Sequence, residues 1–217
     1  SRGLVGSEMC IRDRCCRRER TDRPGPGRSA RPLYPAPRFR RVAGIGSVDR
    51  DTYIDANRRA WNEAAPYHAA HRMQRLRCAF AEPGFSLLDQ VDTEHLRELG
   101  AFQGKSVVQV CCNNGRELLS AKNLGAGRCV GIDFSEAFVA QAQEPNAIAG
   151  QDCEFVCASV YDLPHALNAQ FDIALITIGV ISWMPDVGEF YAVVAGLLKP
   201  GGSLFIHEQH PILDMIE

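Results

Sequence analysis

Residues 106–208 predict a doubly wound, mostly parallel α/β sheet. Three observations lead there. Short apolar runs alternate with helix-length segments. The first run, 107–110, meets a small polar turn, Cys112-Asn113-Asn114-Gly115. The second, Cys129-Val130-Gly131-Ile132, closes on a carboxylate, Asp133, about 20 residues after that turn. Strand, tight turn, helix, strand and terminal acid describe a mononucleotide-binding βαβ half. The turn brings backbone N–H groups close to a ligand, and the acid accepts the ribose hydroxyls. A helix-capping acid is the other reading of Asp133.

The elements follow in order. Residues 51–71 read as a helix, with Tyr53, Ile54, Asn57, Ala60, Trp61 and Ala64 near one face. Pro66 is expected to break or kink it, leaving 73–80 as a second short helical piece. Pro83-Gly84 is a turn, and 87–99 is helical with Gly100 as its stop. The α/β core has strands at 106–111, 128–132, 154–158, 171–178 and 203–207. Its helices fall at 117–124, 136–144 and 187–198, with Ser135 placed to cap the second. The fourth strand is apolar on both faces, as buried parallel strands are. Residues 1–47, rich in Pro, Gly and Arg and without periodicity, read as a disordered extension. Residues 48–100 then form a helical cap and 101–217 the α/β domain.

Composition narrows the function. An apolar content of 46% over 217 residues supports one core. No apolar stretch approaches the roughly 18–20 residues that span a bilayer. Nine cysteines lack the spacing of a secreted disulfide framework, which suggests reduced thiols and a cytoplasmic protein. Residues 1–50 hold 13 Arg, no Lys and a net charge of +8, whereas the remainder carries −10. The Arg-rich segment resembles translated noncoding sequence more than a basic arm, and a native start near Val48 is expected. An acidic folded part disfavours a phosphate-tracking surface, so no nucleic-acid partner is expected.

The segment 107–126, with Cys112, Gly115, Leu119-Ser120 and Gly125-Ala126, together with Asp133 and the turn Leu198-Lys199-Pro200-Gly201-Gly202, resembles the class I S-adenosylmethionine-dependent methyltransferases. The resemblance implies a Rossmann-like methyltransferase sheet. In that fold a further helix and two strands normally follow the fifth strand, so the chain reads as a fragment, incomplete at the C-terminus, with an apolar sheet edge. It implies S-adenosylmethionine as cofactor. Where the family's first loop reads Asp-x-Gly-x-Gly-x-Gly, this chain has Gln109, Cys111, Asn113 and Gly115. Neutral Gln109 offers an amide in place of the acid that orients the methionine ammonium. Asn tolerates positive φ, so Asn113 and Asn114 are expected to supply the tight turn.

By the same resemblance Asp133 holds the ribose and Phe134 packs on the adenine. Ser159 and the Val160 N–H take the adenine edge, with Asp162 a second candidate or simply a turn residue. Thr177 lies beside the methionine part of the cofactor. Trp61 and Tyr67 line the acceptor pocket from a lid-like first helix. Trp183 shapes that pocket or anchors the core. Glu208 and His210 are the candidates for orienting an acceptor or removing its proton. His207, Glu208 and His210 lack the helical four-residue His spacing of a zinc helix, so no metal is expected.

The expected activity is methyl transfer from S-adenosylmethionine to a small-molecule acceptor. The alternatives are a non-catalytic cofactor-binding or interaction protein, suggested by the altered first loop, and a nicotinamide oxidoreductase, disfavoured by the missing G-x-G-x-x-G. Oligomeric state is not legible.

Overall fold

A computed structural model of the chain describes residues 49–98, 100 and 102–208. The extension over 1–47 and the candidate His210 lie outside the described residues. Helix α1 (Arg50–Phe80) opens at Asp49, whose side chain accepts the Thr52 N–H at 3.3 Å. It runs without interruption through Pro66, where the sequence predicts a break and a separate piece over 73–80. A proline inside a helix costs about 3 kcal/mol. Here Pro66 is exposed, while Ala65, Met73, Leu76 and Phe80 are buried against the rest of the molecule. Packing on both sides of the proline outweighs its cost.

Helix α2 (Gln90–Glu98) starts three residues later than predicted. The preceding backbone is held elsewhere: the Leu87 N–H donates to Ser120 Oγ at 2.9 Å and the Leu88 N–H to Ser86 Oγ at 3.2 Å. Asp89 then caps the helix by accepting the Asp92 N–H at 2.7 Å.

The α/β part runs β1 (Val107–Val110), α3 (Arg116–Asn123), β2 (Cys129–Asp133), α4 (Glu136–Ile148), β3 (Glu154–Cys157), β4 (Phe171–Ile176), α5 (Val187–Leu197) and β5 (Leu198–Ile206). All five strands pair in parallel, in the order β3-β2-β1-β4-β5. The predicted Rossmann-like sheet is therefore present. Helix α4 exceeds its predicted end and passes through Pro145. Strand β5 begins at Leu198, not after the Lys-Pro-Gly-Gly turn. That turn is a bulge inside the strand: pairing jumps from Phe171/Leu198 to Ile173/Ser203, with Gly201 at φ +81°.

Alternate strand residues divide the core. Val107, Cys129, Ile173 and Leu175 face one layer, with Met73, Leu76 and Phe80 of α1, Leu96 of α2 and Leu118 and Leu119 of α3. Val108, Val110, Val130, Ile132, Ala174 and Ile176 face the other, with Phe190, Val194 and Leu197 of α5. Burial on both faces is why these strands read as predominantly apolar runs. The chain winds outward from β1 to β2 and β3, then returns to place β4 on the other side of β1. The strand order therefore reverses between β1 and β4, and the crevice at the carboxyl ends there is where open α/β sheets bind ligands. Among the described residues, no helix is long and apolar enough to cross a membrane.

Candidate functional site

The loop leaving β1 turns sharply. Cys111, Asn113 and Gly115 have φ of +56°, +51° and +72°. These are the three positions where glycines are expected, and all three adopt the left-handed conformation that glycine allows. Cys111 rather than Asn114 is the second non-glycine residue to do so. Tertiary bonding enforces the turn: the Cys112 N–H donates to Ile132 O at 2.9 Å, the Gly115 N–H to Cys112 O at 2.8 Å, and the Asn114 N–H to Asn113 Oδ1 at 2.8 Å. Gly115 also has no room for a side chain, since a Cβ would lie 2.6 Å from the Phe155 ring.

Asp133, at the end of β2, is 7% exposed. Its Oδ2 accepts the Asn113 N–H at 2.8 Å and its Oδ1 the Ser135 N–H at 2.9 Å. Burial pushes its carboxyl above the usual carboxylate range, against the pull of these N–H groups toward the charged form. Each oxygen keeps a lone pair for a further donor. Ser135 caps α4 as predicted, accepting the Phe138 N–H at 3.3 Å, and donates to Asn62 Oδ1 of α1 at 2.6 Å.

A cavity of about 350 Å³ lies over the carboxyl ends of the strands. Of the residues expected at the site, Cys111, Asn113, Asp133, Phe134, Thr177, Trp61 and Trp183 line it. A smaller space of about 40 Å³ shares Cys111, Asp133, Phe134 and Trp183 and adds Ser159 and Val160. One wall is aromatic: the Trp61 ring meets Trp183 at 5.2 Å and Phe138 at 5.9 Å, and His68 meets Phe138 at 5.5 Å. Burial, with Arg72 and Arg116 nearby, lowers the His68 pKa. Burial and the Asp133 charge raise the thiols of Cys111 and Cys112, which keeps them protonated and poor nucleophiles.

Several expected residues lie elsewhere. Gln109 and Gly115 are buried behind the cavity walls and line neither space. Asp162 is exposed and lines neither, and Tyr67 is 74% exposed on the outer side of α1. Both diverge because the elements that carry them turn those positions to solvent. Glu208 is committed to the backbone: its carboxylate accepts the N–H groups of Gly179 at 2.7 Å, Val180 at 2.6 Å and Ile181 at 2.7 Å. It ties the β4 exit to the β5 exit and lines neither space. Sequence reasoning weighed His207 only as a metal ligand, whereas it lines the larger cavity with its partner Asp92 of α2. The only local signal for His207 is its place at the carboxyl end of a strand.

Comparison with known proteins gives the class. Residues 107–202 match the family model described as a methyltransferase domain. With that domain matched, the parallel sheet, the turn after β1 and the acid closing β2 resemble those of the class I S-adenosylmethionine-dependent methyltransferases, and the domain implies S-adenosylmethionine as cofactor. The chain is 35% identical over 106 residues to a ubiquinone biosynthesis O-methyltransferase of Caulobacter vibrioides, covering 48% of this chain and 41% of that protein. It is 25% identical over 165 residues to the ubiquinone biosynthesis O-methyltransferase of Thiobacillus denitrificans, covering 76% and 63%. The chain thus spans less than two thirds of either relative. Phosphoethanolamine N-methyltransferase 1 of Haemonchus contortus superposes with a TM-score of 0.56 at 18% identity, over 78% of this chain and 35% of that one. That likeness is one of fold alone.

The residues present fit the cofactor. Gln109 Nε2 donates to Thr177 Oγ1 at 3.1 Å, while Gln109 Oε1 is buried with no partner. At the cavities themselves, the Asp133 carboxylate lines both spaces and keeps a lone pair on each oxygen, which suits a ligand that brings hydroxyl donors.

Proposed function

We propose that this chain transfers the methyl group of S-adenosylmethionine to a small-molecule acceptor. The observation that carries this reading is Asp133: a buried carboxylate at the end of β2, bonded to the loop of β1 and facing both cavities. It is placed to accept ribose hydroxyls. Phe134, Ser159 and Val160 then enclose the adenine in the smaller space. Cys111, Asn113 and Thr177 receive the methionine part in the larger one. Trp61 and Trp183 border the acceptor.

S-adenosylmethionine supplies an electrophilic methyl on a sulfonium, so the protein's task is to align an acceptor and exclude water. The aromatic wall of Trp61, Trp183 and Phe138 does both. The Caulobacter vibrioides and Thiobacillus denitrificans relatives are named as O-methyltransferases of ubiquinone biosynthesis, which supports a small-molecule acceptor. The altered first loop is the one observation that favours a non-catalytic binding protein. Its backbone nonetheless holds the left-handed conformation at all three positions. Calorimetric titration with S-adenosylmethionine, using NAD as control, tests the reading. Micromolar binding of S-adenosylmethionine alone supports it, and no binding by folded protein rejects it.

A further inference from the structure

The larger cavity extends beyond the elements that receive the cofactor. It crosses the β4 exit at Thr177 and Gly179 and reaches the β5 exit at His207. There the chain still follows the sheet, since the His207 N–H donates to Ile176 O at 2.9 Å. His207 Nδ1 lies 3.0 Å from Asp92 Oδ2 and 2.9 Å from Oδ1. The Asp92 side chain is 13% exposed, and both residues line the cavity.

We propose that His207, oriented by Asp92, is a general base in this cavity and that the acceptor atom is a hydroxyl oxygen. The proposal rests on the methyl-transfer reading above. A carboxylate against Nδ1 puts the neutral ring's proton on that nitrogen and leaves Nε2 as the acceptor. The same carboxylate steadies the imidazolium that forms when Nε2 takes a proton. Other candidates on this side of the molecule are less suited. Glu208 has both carboxylate oxygens on backbone N–H groups. Burial, and after it the charges of Arg72 and Arg116, oppose protonation of His68.

The acceptor class follows from the need for a base. An amine free base or a carboxylate attacks without first losing a proton, whereas a phenolic hydroxyl, with a pKa near 10, holds its proton at neutral pH and must give it up as the ether forms. In the step, the hydroxyl O–H bond breaks and its proton passes to His207 Nε2. The oxygen bonds to the methyl carbon as the carbon–sulfur bond breaks and its electron pair stays on sulfur. The products are a methyl ether, the thioether S-adenosylhomocysteine and an imidazolium paired with Asp92.

Calorimetry with S-adenosylhomocysteine comes first, and failure to bind rejects the methyl-transfer reading itself. With that product bound, protein labelled with 15N-histidine is titrated with catechol and with anisole, which keeps the ring and lacks the O–H. The expected result is a His207 ring that carries a proton at Nδ1 and whose Nε2 resonance moves with catechol and not with anisole. His207→Ala weakens catechol binding about 3- to 10-fold, the scale of one hydrogen bond, and leaves S-adenosylhomocysteine binding unchanged. Asp92→Asn, a change at the positioning residue, shifts the resting proton toward Nε2. An Nε2 resonance that ignores catechol, or answers anisole equally, overturns the proposal, as does a wild-type ring protonated at Nε2.

Discussion

The Asn113 N–H donates to Asp133 Oδ2 at 2.8 Å, and this bond joins the loop after β1 to the end of β2. The same carboxylate receives the Ser135 N–H at the start of α4. Removing it affects ligand and scaffold together. Asp133→Ala is expected to weaken S-adenosylmethionine binding by about 1–3 kcal/mol, the scale of a lost hydrogen bond to a charged group. Isothermal titration of the folded variant checks this, and unchanged affinity rejects the ribose assignment.

Gly115 combines a φ of +72° with a would-be Cβ 2.6 Å from the Phe155 ring. Gly115→Ala meets both obstacles, and about 2–4 kcal/mol of stability is expected to be lost. Urea unfolding monitored by circular dichroism measures the loss. A midpoint within error of wild type would show that Phe155 moves aside freely.

Glu208→Gln separates the structural role of this carboxylate from a catalytic one. Three N–H groups converge on its two oxygens, and an amide offers only one. Hydrogen exchange at Gly179, Val180 and Ile181 is expected to accelerate about tenfold or more, consistent with about 1.5–3 kcal/mol for bonds to a charged acceptor. Unaltered exchange would mean that the loop holds itself.

At the opposite end of the sheet, Asp172 Oδ2 accepts the Ser106 N–H at 2.9 Å, Ser106 Oγ–H at 2.6 Å and Lys199 Nζ at 2.9 Å. Hydrogen bonds from Ser106 and Lys199 lower the Asp172 carboxyl from 3.8 to about 2. A depressed carboxylate stabilises the fold above its unfolded pKa, and that contribution is lost as pH falls from about 4 to about 2. A drop of this size is worth roughly 2.5 kcal/mol when fully realised. Solvent reaches about a third of the side chain, so about 1 kcal/mol is expected. Asp172→Asn should show a correspondingly shallower loss of stability over that window in acid titrations.

The strands were the most legible elements, because burial on both faces leaves apolar runs such as 173–176. Asp133 was legible for a topological reason, since the end of the second strand faces the ligand crevice. Cys111 carries no local mark of its left-handed backbone, which is held by bonds from neighbouring residues to β2 and within the loop. The His207–Asp92 pair spans 115 positions, so no spacing announces it. Glu208 read as a free carboxylate because its partners are backbone amides, which look alike in every sequence. Pro66 misled for the same kind of reason: its local cost is visible and the distant packing that exceeds it is not.

Helix α1 is continuous, yet its two halves are fastened differently. From Ala65 to Phe80 it is seated on buried side chains. From Arg50 to Asn62 it has no fully buried residue and is held by Arg50–Glu189, Arg58–Glu136, the side chains of Asn57 and Asn62 and, near its end, the Trp61 ring against Trp183 and Phe138. Exposed ion pairs of this kind contribute about 0.2–1 kcal/mol each and weaken in salt. The helix is therefore a lever with a fixed end and a loose one, and Ile54, Asn57 and Trp61, which border the two cavities, ride on the loose arm.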